Sequence, residues 1–398
     1  MSGYSPASFS TRCLLPGRSN GRGMVGSMAP LRILHITHDL AIGGLQQMLV
    51  TLCRTADRQA FEFVVLCLRS LGPLAGELGT LGVPVVLLPQ PVSPGTDYLS
   101  FLKVAKILKQ YPVDVIHTHN TQPLLDGTLG SLLSLQKHRI IHTDHAREFP
   151  DKARYMFMEW LMSHFVHKVV GVSTHTTANL HAYEKIPDSK LLTIENGVDL
   201  ERFSCGVDCI QKRRELGVAQ DTPLIGVIAR LEPVKGVEHL LRAMPAVLGR
   251  HPRLTLLIVG DGSIKDFLEQ ECNRLGISKH VVFTGARGDV PQLLKLLDVY
   301  VLPSESEGLP IGILEAMASG CPIVASHVGG VPDVLEHMTS ALLVPPADPL
   351  KLAEAVSTLL SSGSLREKFA RKARSIVIQK FSSEVMTNKY SELYLGGR

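Results

Sequence analysis

The sequence predicts an α/β protein made of two doubly wound parallel-sheet domains in tandem, and three observations carry that prediction. Short, near-continuous apolar runs alternate with segments of helical periodicity, as expected of a parallel sheet covered on both faces. The rhythm runs once from Leu31 to Ile194, pauses over Asn196–Thr222, where apolar runs are sparse, and starts again at Leu224. The 398 residues suit two domains, and with 45% hydrophobic and 20% charged residues there is apolar material for two cores.

In the first half the strand candidates are Leu31–Thr37, Phe61–Leu68, Val83–Leu88, Val113–His117, Arg139–Thr143, Lys168–Val172 and Leu191–Ile194. Each is short, apolar and rich in β-branched residues. Helical patterns fall between them, from Gly43-Gly44 to about Ala56, over Tyr98–Gln110 and over Pro123–Gln136. The second half repeats the scheme with Leu224–Ala229, Leu254–Val259, Val281–Thr284, Val299–Leu302, Pro322–Ala325 and Leu342–Val344 as strands. Its helices are Val237–Gly249, Ser263–Leu275, Val290–Leu297 and Ile311–Ala318, and Pro349–Ser361, Ser364–Gln379 and Ser383–Leu395 close the chain. Open α/β sheets bind ligands beyond the carboxyl ends of their strands, so two such sheets predict a ligand between domains.

Composition narrows the function. A net charge of +4 is too small for a nucleic-acid binder and suits anionic small molecules or an anionic membrane surface. Seven cysteines without a Cys-x-x-Cys argue against a disulfide framework or zinc ribbon and fit a reducing, cytoplasmic compartment. No apolar stretch reaches the length of a membrane span. Residues 1–29 are rich in Ser and Gly, contain no acid and lack an apolar signal core, so a disordered extension is expected there.

Four clusters could carry chemistry. In Pro303–Gly320 a strand end leads into a helix, with seven residues between Glu307 and Glu315. Free N–H groups at a helix start can hold a phosphate, Gly308 allows close backbone approach, and the carboxylates can accept sugar hydroxyls. Two ordinary helix-start glutamates would give the same spacing. In Ala229–Gly236, Arg230 and Lys235 sit after the first strand of the second half, where two cations suit a diphosphate; solvated surface charge is the other reading. Gly43-Gly44 after the first strand is a phosphate or sugar turn or simply a tight turn, without G-x-G-x-x-G spacing. His117, His119, His142 and His145 gather at strand ends of the first half, either as an active-site edge or as satisfied core histidines. Zinc is a rival there, but no acid or cysteine stands at metal spacing. No Asp-x-Asp occurs, and Arg230, Lys235 and helix termini can supply positive field, so no metal or other cofactor is expected. Val259–Gly262 reads as a glycine turn after a strand, Phe283–Arg287 as a loop that could pack a nucleobase and Glu195–Asp199 as a turn near the domain seam; plain turn chemistry is the other reading of each.

Taken together, Glu307-x7-Glu315 followed by Ala-Met-Ala-Ser-Gly, the Arg230-Leu-x-x-x-Lys235-Gly block and Gly43-Gly44 resemble the retaining glycosyltransferases of family 4 (group 1), which have the GT-B fold. The resemblance covers Leu31 to Leu395 and implies two Rossmann-like domains facing a cleft. It implies an acceptor domain over residues 30–200, completed by a crossing helix at 380–398, and a donor domain over 201–379. It further implies transfer of a sugar, with retention, from a UDP- or GDP-linked donor to an acceptor hydroxyl. Arg230 and Lys235 would hold the diphosphate, Glu307 the donor sugar and Glu315 the ribose. Gly44, Gly308, Leu309 and Pro310 would line the donor, His145 would be the active-site histidine, and His119 would face the acceptor. The common Glu-Gly-Phe-Gly is replaced by Glu307-Gly-Leu-Pro310, which leaves the donor sugar open. A glycan or lipid-linked acceptor in polysaccharide or glycolipid synthesis is expected. Basic and aromatic residues in Leu99–Gln110 and Arg147–Lys168 suit peripheral membrane contact or a solvated helix with a core-facing stripe. A nucleotide-sugar epimerase and a non-catalytic nucleotide-sugar binder are the alternatives.

Overall fold

The computed structural model describes residues 29–89, 99–145, 150–204 and 206–396. The extension expected over residues 1–29 therefore lies, except for Ala29, outside the described residues, as does Arg147.

Thirteen strands form two sheets among the described residues. The first contains β1 (Leu31–Thr37), β2 (Phe61–Cys67), β3 (Val85–Leu87), β4 (Val115–His119), β5 (Arg139–Asp144), β6 (Lys168–Gly171) and β7 (Leu191–Thr193), in the order β3-β2-β1-β4-β5-β6-β7. The second contains β8 (Leu224–Ile228), β9 (Thr255–Val259), β10 (Val281–Gly285), β11 (Val299–Leu302), β12 (Ile323–Ser326) and β13 (Leu342–Val344), in the order β10-β9-β8-β11-β12-β13. Pairing is parallel, with helices in the connections. This is the α/β architecture that the sequence predicts.

The second sheet shows why its strands read as continuous apolar runs. Alternate residues of a strand face opposite sides. Leu224, Leu257, Tyr300 and Ile323 enter the core on one side; Ile225, Val227, Leu256, Ile258, Val299 and Val301 enter the core on the other. Both sides are buried, so neither register can be polar. In the first sheet all seven residues of β1 are buried, including Arg32 and His35.

Both sheets reverse their winding once, between β1 and β4 and between β8 and β11. Connections leave in opposite directions at such a point and open a crevice beyond the carboxyl ends of the two strands. The predicted motifs stand at these ends. Gly43-Gly44 follows β1 and His119 ends β4, whereas Arg230–Gly236 follows β8 and Ser304–Pro310 follows β11.

By compactness the described chain divides into two units. One comprises residues up to Ile42, Asp57–Thr143 and Met158–Lys168; the other comprises Gly43–Ala56, Asp144–Phe157 and the chain from Val169. Within the second unit, the final helix Ser383–Leu395 lies against the helix Gly44–Thr55, and the hydroxyls of Thr55 and Thr387 are 2.5 Å apart.

Candidate functional site

The loops after β8 and β11 are bound to each other. The Lys235 ammonium donates to Glu307 Oε1 at 2.7 Å, and the Ser304 hydroxyl donates to the same oxygen at 2.7 Å. The Glu305 amide donates to the Val234 carbonyl (2.9 Å), and His239 Nε2 lies 2.6 Å from Glu305 Oε1. Gly236 adopts φ +60°, and a Cβ there would stand 2.2 Å from the Pro303 carbonyl oxygen. Only glycine meets both demands. Lys235 carries three donors and Glu307 four acceptor sites, so the pair keeps capacity for a ligand. Arg230 is exposed and makes no side-chain hydrogen bond among the described residues. Its guanidinium is the open cation of this loop pair.

Two further loops brace this arrangement from behind. Gly260 and Gly262, after β9, pack on the Arg230 loop; a Cβ on them would meet the Ala229 and Leu231 carbonyl oxygens at 1.8 and 2.4 Å. Leu231 N donates to the Asp261 carbonyl (3.0 Å), and the Ser263 hydroxyl donates to Glu232 at 2.5 Å. Gly329 and Gly330, after β12, back the Glu307 loop; a Cβ on them would stand 1.7 Å from the Glu307 carbonyl oxygen and 2.0 Å from that of Gly308. Asn196 Nδ2 donates to the Leu309 carbonyl at 3.1 Å, so the Glu-Asn-Gly segment is more than a turn. The sequence marks Asn196 only as part of a turn and does not mark Gly329-Gly330. A double glycine in the loop after a strand was the available signal, as at Gly43-Gly44.

The helix Ile311–Ser319 starts beside this pair of loops. Pro310 occupies its N-cap and offers no side-chain hydrogen bond, unlike Ser173, Asp348, Ser362 and Ser382 at other helix starts. Its first amides can therefore serve an anion. A Cβ on Gly44 would lie 3.3 Å from the Ile311 side chain, which places the Gly-Gly turn over this helix start. Glu315 is one turn further on. Burial pushes its carboxyl up to about 7, and the positive charge of Arg202 acts in the opposite direction. The carboxyl group thus changes charge near neutrality.

The first sheet holds a different constellation. His117 and His119 alternate along β4 and share a face, and the register puts His35 of β1 beside His117. His35 Nδ1 is 3.0 Å from His119 Nε2, and His117 Nε2 is 2.8 Å from the Thr143 hydroxyl. All three rings are fully buried. Burial lowers His119 to about 3 and His35 well below its ordinary value, so both stay neutral. His119 is therefore held inside the sheet face by His35, and His142 bonds the Thr118 hydroxyl at 3.0 Å. His145 lies buried directly after β5. Among the described residues three trios offer ligand atoms within 4.8 Å of one another, His35/His117/His119, Glu238/His239/Glu305 and Asp144/Glu159/Glu184, and could geometrically accept a metal.

Comparison with known proteins places this arrangement. The model for "Glycosyl transferases group 1" matches residues 209–376, and that for "Glycosyltransferase Family 4" matches residues 42–202. The glycosyltransferase MJ1607 of Methanocaldococcus jannaschii is 32% identical over 71% of this chain and 75% of its own length. The chain belongs to the group 1 family of glycosyltransferases. An Escherichia coli UDP-Gal:alpha-D-GlcNAc-diphosphoundecaprenol alpha-1,3-galactosyltransferase is 23% identical over 94% of this chain and 98% of its own. Among solved structures, Anabaena Alr3699/HepE in complex with UDP and glucose superposes with a TM-score of 0.81 at 23% identity, covering 91% of this chain and 99% of that one. The fold is GT-B, and the chain is a transferase enzyme. No helix among the described residues is long and apolar enough to cross a membrane.

Proposed function

We propose that this glycosyltransferase moves a sugar, with retention of anomeric configuration, from a UDP- or GDP-linked donor to an acceptor hydroxyl. One observation carries the reading. At the β8/β11 switch point an open guanidinium, Arg230, and the Lys235–Glu307 pair stand with the uncapped start of the helix Ile311–Ser319. A departing nucleotide diphosphate gains negative charge as the sugar bond breaks. Cations and amides fixed in advance stabilise that charge without reorganising. Arg230 and Lys235 take the diphosphate, Glu307 the donor sugar and Glu315 the ribose; Gly44, Gly308, Leu309 and Pro310 line the donor. His145 serves at the sugar and His119 on the acceptor side. The protein's own positive field fills the place of a metal, so transfer needs none.

The acceptor is a glycan or lipid-linked alcohol of polysaccharide or glycolipid synthesis, met at the cytoplasmic membrane face. Exposed Trp160, Leu161 and Phe165 support peripheral contact there.

The test incubates the protein with a panel of UDP- and GDP-sugars, with and without lipid-linked acceptors, and follows nucleotide release. Release that depends on acceptor, with an α-anomeric product by NMR and no loss in EDTA, is the expected result. Interconversion of donor sugars without acceptor would instead identify an epimerase.

A further inference from the structure

The loops that carry Lys235 and Glu307 meet at a second cluster, which sugar transfer leaves unused. Glu238 and His239 stand in the first turn of the helix Val237–Arg250, and Glu305 stands in the loop after β11. One candidate ligand atom from each of the three lies within 4.8 Å of the other two.

The hydrogen bonds of His239 set what the cluster lacks. The residue is only 9% exposed, and its Nε2 lies 2.6 Å from Glu305 Oε1. An ionised carboxylate only accepts, so Nε2 carries the proton of a neutral ring and Nδ1 keeps a bare lone pair. Nδ1 is buried and has no hydrogen-bond partner among the described residues, and the same holds for Glu238 Oε2. Two neighbouring residues at one helix start thus bury two acceptors that no donor reaches. Burial of such atoms is costly until a donor, a water or a cation meets them. With two carboxylates converging on one imidazole, a cation relieves both the missing partners and the gathered negative charge, whereas a water relieves only the first.

We propose that Glu238, His239 and Glu305 bind a divalent transition-metal ion that ties the loop after β8 to the loop after β11. His239 Nδ1 and the Glu238 carboxylate are its direct ligands. Glu305 holds the ring through Nε2–H, as carboxylates commonly do behind metal-bound histidines. Metal–ligand bonds of about 2.1 Å let one ion span ligand atoms up to about 4.2 Å apart, so a small side-chain rotation completes the site. Mixed nitrogen and oxygen donors suit Zn²⁺, Co²⁺ or Mn²⁺, whereas Mg²⁺ and Ca²⁺ favour oxygen alone. The Glu305 side chain is 47% exposed, which leaves the ion a way in from solvent. The ion is a clasp and not a catalyst: Arg230, Lys235 and Glu307 are not among its ligands, and sugar transfer takes no step through it.

The experiment uses the full, tag-free chain, stripped with EDTA and desalted. Co²⁺ is titrated while its visible ligand-field bands are followed, and melting temperature is read in Co²⁺, Zn²⁺ and Mg²⁺. The expected result is saturable bands and a rise of roughly 3 °C in Co²⁺ and in Zn²⁺, with none in Mg²⁺. Glu238→Gln and His239→Gln should each abolish the bands and the rise. Glu305→Gln should weaken Co²⁺ affinity at least about tenfold, the usual cost of losing a carboxylate behind a ligating histidine. Should either of the first two variants fail to fold, Glu305→Gln, at an exposed position, decides. Absence of the bands in the unaltered chain overturns the proposal and leaves a bridging water as the occupant. Bands that persist in folded Glu238→Gln and His239→Gln, or that only His117→Ala removes, overturn it as well; the latter would move the ion to the imidazoles of the first sheet.

Discussion

The two winding reversals use one topology and opposite electrostatics. Beyond β8 and β11 the loops hold ionised groups, Lys235 on Glu307 and Arg230 in the open. Within β1 and β4 three buried imidazoles contact one another, and burial keeps His35 and His119 neutral. Sheet order therefore fixes where a ligand sits, and loop chemistry fixes what kind it is. A cationic reversal suits a diphosphate, and a neutral one suits an uncharged hydroxyl.

The sharpest way to break this contrast is to remove the open cation. Arg230→Ala should lower turnover by roughly 10²–10³-fold, the usual effect of deleting one preorganised donor. It should leave the melting temperature nearly unchanged, because the exposed side chain makes no hydrogen bond among the described residues. Lys235→Ala should cost turnover similarly and also lower stability, by about 1–3 kcal/mol, since buried Glu307 loses its cation and keeps only the Ser304 hydroxyl. Near-normal transfer by both variants would remove the diphosphate assignment.

Next come the glycines that hold the cationic loops. Gly329 has φ +52°, and a Cβ would run into the Glu307 carbonyl oxygen. Gly329→Ala should weaken nucleotide binding at least about tenfold by displacing Glu307, a shift of about 1.4 kcal/mol that calorimetry would read. Gly76→Ala, with nothing within 4 Å of the new methyl, is the matched control.

On the neutral side, His119→Ala should raise the acceptor KM and leave nucleotide affinity alone. An equal loss for both substrates would show that the imidazole cluster acts through stability only.

The two reversals should also respond to pH with opposite sign. The His119 ring titrates at about 3 in the fold and near 6.5 when unfolded. Its contribution to stability is therefore full above 6.5 and is lost as the pH falls towards 3. Glu315 titrates at about 7 in the fold, against an ordinary 4.5. Its contribution is full below 4.5 and is lost as the pH rises through 7. Glu315→Gln should flatten the decline in melting temperature between about pH 4.5 and 7 while weakening nucleotide binding. A decline that persists in this variant would place the titrating group elsewhere.

The smallest effect is expected at Glu305. Glu305→Gln weakens the contact with His239 that ties the two cationic loops. A rise of a few-fold in donor KM, with kcat retained, would mark it as a positioning residue.

Much of this organisation was present in the chain itself. Parallel strands buried on both sides must be apolar throughout, so the strands of both sheets stood out as apolar runs, and glycines, cations and carboxylates directly after them marked the ligand ends. That local logic reached Arg230, Lys235, Glu307 and Gly44, each beside a strand end or helix start in sequence. It did not reach Gly329-Gly330, Asn196 or His239, whose work is done on loops up to about 113 residues away. Nor could it place His35 with His119, because that meeting depends on the register of β1 against β4. Local periodicity determines elements and the positions of their ends. Which loops brace one another, and which imidazoles stay dry and neutral, follows from packing between distant segments, and only the tertiary structure decides it.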